Sequence, residues 1–180
     1  MPDGTPLAAH HASVLASAGM TETFIVLGAE ADRIHAALAP FRLKIITNTA
    51  WTTGRLSSLQ AGLRAVAPDV TGALVVPVDT VGIKAETIRK VIDAAERGNP
   101  IVVRPSFQNQ TGRIIWIDRA IFPEILALKS TPEFRLDQWL AHREIIIAVD
   151  DAAVINNINT PDAWSTVLST TKILPSSNPC

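Results

Sequence analysis

Asp79 closes the most apolar stretch of the chain, Ala73-Leu74-Val75-Val76-Pro77-Val78. Such a run reads as a strand in the middle of a sheet, covered on both faces. Pro77 has no N–H for a ladder, so it belongs at a bulge or near the strand's end. In α/β sheets ligands bind beyond the carboxyl ends of the strands. A carboxylate there is a hard oxygen ligand suited to magnesium, which retains some of its water. Magnesium beside a triphosphate would neutralise charge and assist the departure of pyrophosphate. Asp79 would equally serve as the cap of a turn or of the next helix, and the residues alone leave both readings open.

Other chemistry-bearing residues are less well arranged. His10 and His11 are adjacent and so do not share a helix face, and His35 and His142 have no partner at ligand spacing. They read as surface or half-buried histidines. Asp150-Asp151 could bind a cation but reads rather as an exposed acidic turn after a strand. The chain has no G-x-S-x-G elbow, and its one cysteine, Cys180, is not placed to pair with a histidine. Trp51, Trp116, Trp139 and Trp164 are dispersed, which suits packing in a core or cleft better than a stacking platform.

The elements that must position Asp79 follow from the periodicity. Leu7, His11, Val14, Leu15 and Ala18 share a helix face that ends at Gly19. Phe24–Gly28 is a short strand, and Ala31, Ile34, Ala37 and Leu38 mark a second helix. Leu43–Thr47 is a strand. Leu56, Leu59, Leu63 and Val66 mark a third helix, and Ile88, Val91, Ile92 and Ala95 a fourth. Pro100–Arg104, Arg113–Ile117 and Glu144–Val149 read as strands, and Ile121–Leu128 as a helix. Thr131-Pro132-Glu133 and Thr160-Pro161-Asp162 each read as a capped helix start with proline at its first position. Strands alternating with amphipathic helices predict an α/β fold, a doubly wound three-layer arrangement on a mostly parallel sheet. We expect a single domain over residues 1–171 and a loose tail over 172–180.

Composition agrees. The 180 residues are 47% hydrophobic and 18% charged with a formal net charge of −1. That is a globular balance with no electrostatic invitation to nucleic acid or to an anionic membrane. No apolar run approaches the ~18 residues of a membrane span, and the first residues are no secretion signal. An intrachain disulfide cannot form, and Cys180 does not sit about four residues from the end as prenylation requires. Cytoplasm is the expected location.

Three segments carry a resemblance. Asn48-Thr49-Ala50-Trp51-Thr52-Thr53-Gly54-Arg55-Leu56-Ser57-Ser58-Leu59-Gln60-Ala61-Gly62-Leu63 is similar to an N-x-x-W-x-x-G-x-x-S-S-L-x-x-G-L segment. Pro77-Val78-Asp79 with Glu86-Thr87-Ile88 is similar to V-D-x-P-L-V-x-P-E-T-I. Val149-Asp150-Asp151 through Asn157-Ile158-Asn159-Thr160-Pro161-Asp162 is similar to V-D-D … [DN]-[IV]-[DN]-T-P-E-D. In this order they resemble molybdenum-cofactor nucleotidyltransferases of the MobA-like NTP transferase family, from about Pro2 to Trp164. The resemblance implies a nucleotide-diphospho-sugar transferase-like fold and transfer of CMP or GMP from CTP or GTP to a phosphorylated small-molecule acceptor such as molybdopterin. It implies Mg²⁺ as the cofactor. Asp79 would be the catalytic, metal-binding aspartate, with Asn159 the second ligand or its neighbour. Asn48, Gly54, Ser57 and Ser58 would line the base and ribose side. Arg104 or Arg113 would contact the acceptor. Read without the resemblance, Ser57 and Ser58 are helix N-terminal caps, Gly54 a turn residue, and Asn159 a turn residue before Thr160.

The chain also departs from the family pattern. A strand followed by L-A-A-G-x-x-x-R-M-G and a lysine cradles the triphosphate in the family, whereas here Met1-Pro2-Asp3-Gly4-Thr5-Pro6 resembles the piece just after that lysine. Family P-L-V reads Val81-Gly82-Ile83, R-G-H-P-V reads Thr111-Gly112-Arg113-Ile114-Ile115, and [ST]-P-E-T reads Lys84-Ala85-Glu86-Thr87, a poorer cap. The resemblance therefore implies a sheet without its first strand, an exposed edge prone to self-association, and three candidate functions. These are the molybdenum-cofactor transferase, a non-catalytic homologue or binding subunit, and a sugar-phosphate nucleotidyltransferase. The Trp51–Leu63 region leans toward the cytidylyl branch, Asn157-Ile158-Asn159 toward the guanylyl one.

Overall fold

The computed structural model describes residues 1, 3–160 and 164. Helix α1 (Leu7–Ser17) enters from Pro6 and buries Ala9, His11, Ala12 and Leu15. It ends in a Schellman closure: Gly19 N–H donates to the Ala16 carbonyl and Met20 N–H to the Leu15 carbonyl. Strand β1 (Phe24–Leu27), helix α2 (Ala31–Leu38) and strand β2 (Lys44–Thr47) form a right-sized parallel crossover, with Phe24 opposite Lys44 and Leu27 opposite Thr47. Helix α3 (Arg55–Ala65) follows a 3-10 turn at Trp51–Thr53.

Strand β3 (Gly72–Val75), helix α4 (Ala85–Gly98) and strand β4 (Val102–Phe107) come next, then β5 (Gln110–Thr111) and β6 (Ile115–Asp118). Helices α5 (Phe122–Ala127) and α6 (Leu136–Leu140) precede β7 (Glu144–Ala148). The α/β class is as expected, but the pairing is mixed. β3 and β4 both run antiparallel to β6, which lies between them, β5 is antiparallel to β4, and among the described residues only β1–β2 and β4–β7 are parallel ladders. The cause is local. Gln108 and Asn109 both take positive φ, 48° and 65°, and fold the chain directly back as a two-residue hairpin, which only antiparallel strands permit.

β3 also differs from the expected central strand. It ends at Val75, two residues before Pro77, all four of its residues are half-buried, and it pairs with β6 alone. β1 pairs with β2 alone, in a separate sheet. Among the described residues no strand occupies the other edge of β1 or of β3. Helix α3 bridges the two sheets: it packs on β1 and β2, while its Leu56 and Leu63 join Val102, Ile115, Ile117 and Ile125 in the core beneath the larger sheet. On the opposite face Leu15 of α1 and Ala18 just after it pack with Ile83, Ile88, Ile114, Val149 and Val154.

Two helix starts differ. Thr131 does not open a helix; its carbonyl accepts from Phe134 N–H at 3.1 Å in a turn, and α6 begins only at Leu136. The Thr160-Pro161-Asp162 start and the 172–180 tail lie outside the described residues, apart from Thr160 itself.

Candidate functional site

Asp79 lies just beyond β3, in a turn closed by the Thr80 N–H to the Pro77 carbonyl. Its carboxylate meets Arg113 at 2.8 Å. The same Arg113 nitrogen, Nη1, donates to Asn157 Oδ1 at 2.7 Å, and Asn159 Nδ2 donates to that oxygen at 2.9 Å. Residues far apart in sequence thus converge at the carboxyl end of β3.

A bulge delivers the arginine. Two residues of β4, Arg104 and Pro105, lie opposite four of the returning chain, Gly112–Ile115, between the pairs Val103–Trp116 and Ser106–Thr111. Pro105 has no N–H to give, so the ladder is already broken there. Its carbonyl accepts from Gly112 N–H at 2.7 Å, and Arg113 N–H turns away to Val154 at 2.9 Å. A Cβ on Gly112 would lie 2.9 Å from the Pro105 oxygen, so the close approach needs glycine.

The 156–159 segment is laid along the 79–81 segment. Ile158 N–H donates to the Asp79 carbonyl at 3.1 Å, and Asn156 Nδ2 to the Val81 carbonyl at 3.2 Å. Asn157, not singled out from sequence, gives the cluster its second oxygen. The N-I-N run was the only sign of it. Thr80 is fully buried and its hydroxyl has no hydrogen-bond partner.

Asp151 is not part of an exposed acidic turn, as sequence suggested. It is buried, and its Oδ2 accepts from Lys84 N–H at 3.1 Å and Thr87 Oγ1 at 2.6 Å, its Oδ1 from Ala153 N–H at 3.1 Å. Lys84 holds the N-cap position of α4 without a capping side chain of its own. The cap that seemed poor in sequence is completed by a carboxylate from the far end of the chain.

His11 braces the other side. Its Nε2–H donates to the Val78 carbonyl at 3.0 Å, one residue before Asp79. Burial pushes this ring below the ordinary histidine range, partly opposed by that carbonyl and by Asp79. Burial likewise lowers His10, with help from the N-terminal ammonium. Both histidines therefore bind protons more readily when unfolded. Their contribution to stability is full above the unfolded value of about 6.5 and is lost as pH falls from there toward the lower folded values. H11Q keeps a donor and cannot titrate, so its urea midpoint should fall less than the wild type's between pH 7.5 and 5.5. Equal falls in the two proteins would refute the assignment.

A second group forms at the end of β2. Asn48 Nδ2 donates to Ser57 Oγ at 2.8 Å and Ser58 Oγ at 3.0 Å, and its Oδ1 accepts from Ala50 N–H at 3.0 Å. Ser57 Oγ donates to the Gly54 carbonyl at 2.8 Å, so it ties the turn rather than capping α3. Gly54 has φ 116°, and a Cβ there would lie 2.4 Å from the Thr131 oxygen; it serves close loop-on-loop packing. A cleft of about 570 Å³ opens beside this group, lined by Gly28, Thr47, Asn48, Thr49 and the half-exposed Trp51. A smaller cavity of about 300 Å³ lies between α1 and residues 81–85, with His10, Ser13 and Lys84 on its wall. Trp116, by contrast, is buried in the core against Val91, Ala95 and Val103.

Arg104 stands apart from Asp79. Its Nε lies 2.7 Å from Glu144 Oε2, both side chains nearly buried, with the two atoms close but not aligned as a hydrogen bond.

As chemistry, Asp79 and Asn157 offer one carboxylate and one amide oxygen. Among the described residues no three His, Cys, Asp or Glu side chains cluster as a metal cage. One carboxylate with an amide oxygen, completed by water and phosphate oxygens, fits magnesium's habit and does not fit a zinc site.

In α/β folds ligands bind beyond the carboxyl ends of strands, and both Asp79, after β3, and the cleft at Asn48, after β2, lie there. The chain belongs to the family of the MobA-like NTP transferase domain, whose model matches residues 1–146. A search of curated proteins finds no match. Among solved structures it is similar to Mycobacterium tuberculosis Rv0371c in complex with manganese, at TM-score 0.71 and 20% identity over 93% of this chain and 88% of that one. It is also similar to CMP:2-keto-3-deoxy-manno-octonic acid synthetase complexed with CTP, at TM-score 0.71 and 13% identity over 92% and 87%. A third is the molybdopterin-guanine dinucleotide biosynthesis protein A of Archaeoglobus fulgidus, at TM-score 0.65 and 15% identity over 88% and 84%. At these identities the likeness is one of fold. No described helix is long and apolar enough to cross a membrane.

Proposed function

We propose that this NTP transferase moves CMP or GMP from CTP or GTP to a phosphorylated small-molecule acceptor such as molybdopterin, with Mg²⁺ as its cofactor. The observation that carries this reading is Asp79 beyond β3, backed by Asn157 and Asn159. Asp79, with Asn159 or the adjoining Asn157, holds the metal, which supplies charge neutralisation at the phosphates. The Asn48–Ser57–Ser58–Gly54 tie shapes the cleft at the end of β2 for base and ribose. Arg113, paired with Asp79, is the candidate contact for the acceptor phosphate. The chain's own work is then positioning and charge placement.

A second reading, a homologue that does not turn over unaided, is favoured by the unpaired edges of β1 and β3. A first strand between them would complete a three-layer doubly wound sheet, and its end would bring a phosphate-cradling loop to Asp79. The same edges would promote self-association. Sedimentation at moderate concentration should show concentration-dependent oligomers, and a monodisperse monomer would exclude that.

The test of function is calorimetric titration with CTP and with GTP, with and without Mg²⁺. Magnesium-dependent binding that disappears in Asp79→Ala supports the reading, and release of pyrophosphate with acceptor establishes turnover. A folded protein that binds neither nucleotide refutes it for this chain. Binding without pyrophosphate release selects the second reading.

A further inference from the structure

We propose that Arg113 is a built-in cation that competes with the divalent metal for Asp79, so that metal enters only as the arginine leaves. The inference rests on the reading of Asp79 as a metal ligand. The Asp79 carboxylate and Asn157 Oδ1 converge on one nitrogen, Nη1, at 2.8 and 2.7 Å. These are two of the hard oxygens that the site offers a metal. A guanidinium and a divalent ion placed at these same two oxygens repel each other, and the metal would have to take the lone pairs that Nη1 now faces.

The surroundings hold the oxygens and leave the arginine free to move. Ile158 N–H and Asn159 Nδ2 secure the 157–159 segment, and the Arg113 backbone is anchored to Val154. The Arg113 and Asp79 side chains are 26% and 22% exposed, so water and ions reach the pair and the long side chain has space to swing out. Arginine stays protonated at any working pH, so pH does not open the site; displacement does. A polyphosphate would draw the guanidinium to itself by charge-assisted hydrogen bonds. Nucleotide would thereby free Asp79 for the metal, and the two would bind with positive coupling. The metal alone should bind weakly.

Free Mn²⁺ is measured by electron paramagnetic resonance during titration of the wild type, D79N, R113Q and R113Q/D79N, each checked for folding by circular dichroism. R113Q should bind Mn²⁺ about tenfold more tightly than the wild type, the scale of a partly exposed charge-assisted pair, and R113Q/D79N should lose that site. Equal or weaker binding by folded R113Q, with wild-type binding still dependent on Asp79, overturns the competition and leaves the metal reading standing. No Asp79-dependent binding in either protein overturns both. The wild type gives a second readout that needs no variant. The Arg113 Nε–H resonance should shift as Mg²⁺ saturates the site, and an unmoved resonance at saturation overturns the proposal.

Discussion

Asp151→Ala should destabilise the fold by roughly 3–4 kcal/mol, since hydrogen bonds to a buried charged group are each worth about 1.5–3 and their orphaned donors add to the loss. The carboxylate takes hydrogen bonds from Lys84 N–H, Thr87 Oγ1 and Ala153 N–H. Alanine leaves the first turn of α4 without its only side-chain cap and the Thr87 hydroxyl buried without its acceptor. At this chain length the melting midpoint should drop by roughly 10 °C. Asp151→Asn retains one acceptor oxygen but places an NH₂ against a donor, so it should fall between the two. The damage should also spread to the site. Asp151 fixes the turn at Ala152–Ile155, whose Val154 carbonyl holds the Arg113 backbone. A loss under about 1 kcal/mol in chemical denaturation would show that water replaces the carboxylate and that the α4 cap is incidental.

Asp151 illustrates what the sequence displayed and what it withheld. Local signals were readable. The apolar runs placed the strands, Gly19 marked the end of α1, and Asp79 was legible as a carboxylate following an apolar run, although that strand ends earlier, at Val75. Asn48, Gly54, Ser57 and Ser58, which the family resemblance groups, do cluster, because all four lie within one strand–turn–helix unit. Long-range polar contacts were not readable. Asp151 reaches Thr87 across 64 residues. Gln60 Nε2 donates to the Ile125 and Leu128 carbonyls, both at 2.9 Å, at the end of α5, whereas the periodicity places only Leu56, Leu59, Leu63 and Val66 on the buried face. Period-2 and period-3.6 patterns report apolar faces and are silent about which buried polar group finds which partner. Pairing direction was equally hidden, since the Gln108-Asn109 turn carries no glycine to announce a hairpin.

The buried ion pair between β4 and β7 gives the other large effect, and it separates structure from chemistry at Arg104. Glu144→Ala should cost roughly 3–5 kcal/mol, because it strands a guanidinium in a nearly dry place. Arg104 and Glu144 are only 13% and 14% exposed, and the imperfect alignment of their atoms means that little beyond mutual charge holds them. A pair of that kind recovers little of what it cost to desolvate. R104M/E144L, which removes both charges and keeps the volume, should therefore lie within about 1 kcal/mol of the wild type. Equilibrium urea denaturation of the single and double variants closes the cycle. A double variant as unstable as Glu144→Ala would mean that the pair is a true net stabiliser. The double variant also decides whether Arg104 meets the acceptor. With the fold restored, an unchanged acceptor KM confines Arg104 to holding β7 against β4. A raised KM in a protein of wild-type stability would return it to the acceptor's side, and the ion pair with Glu144 would then be the resting place of a residue that moves when substrate arrives.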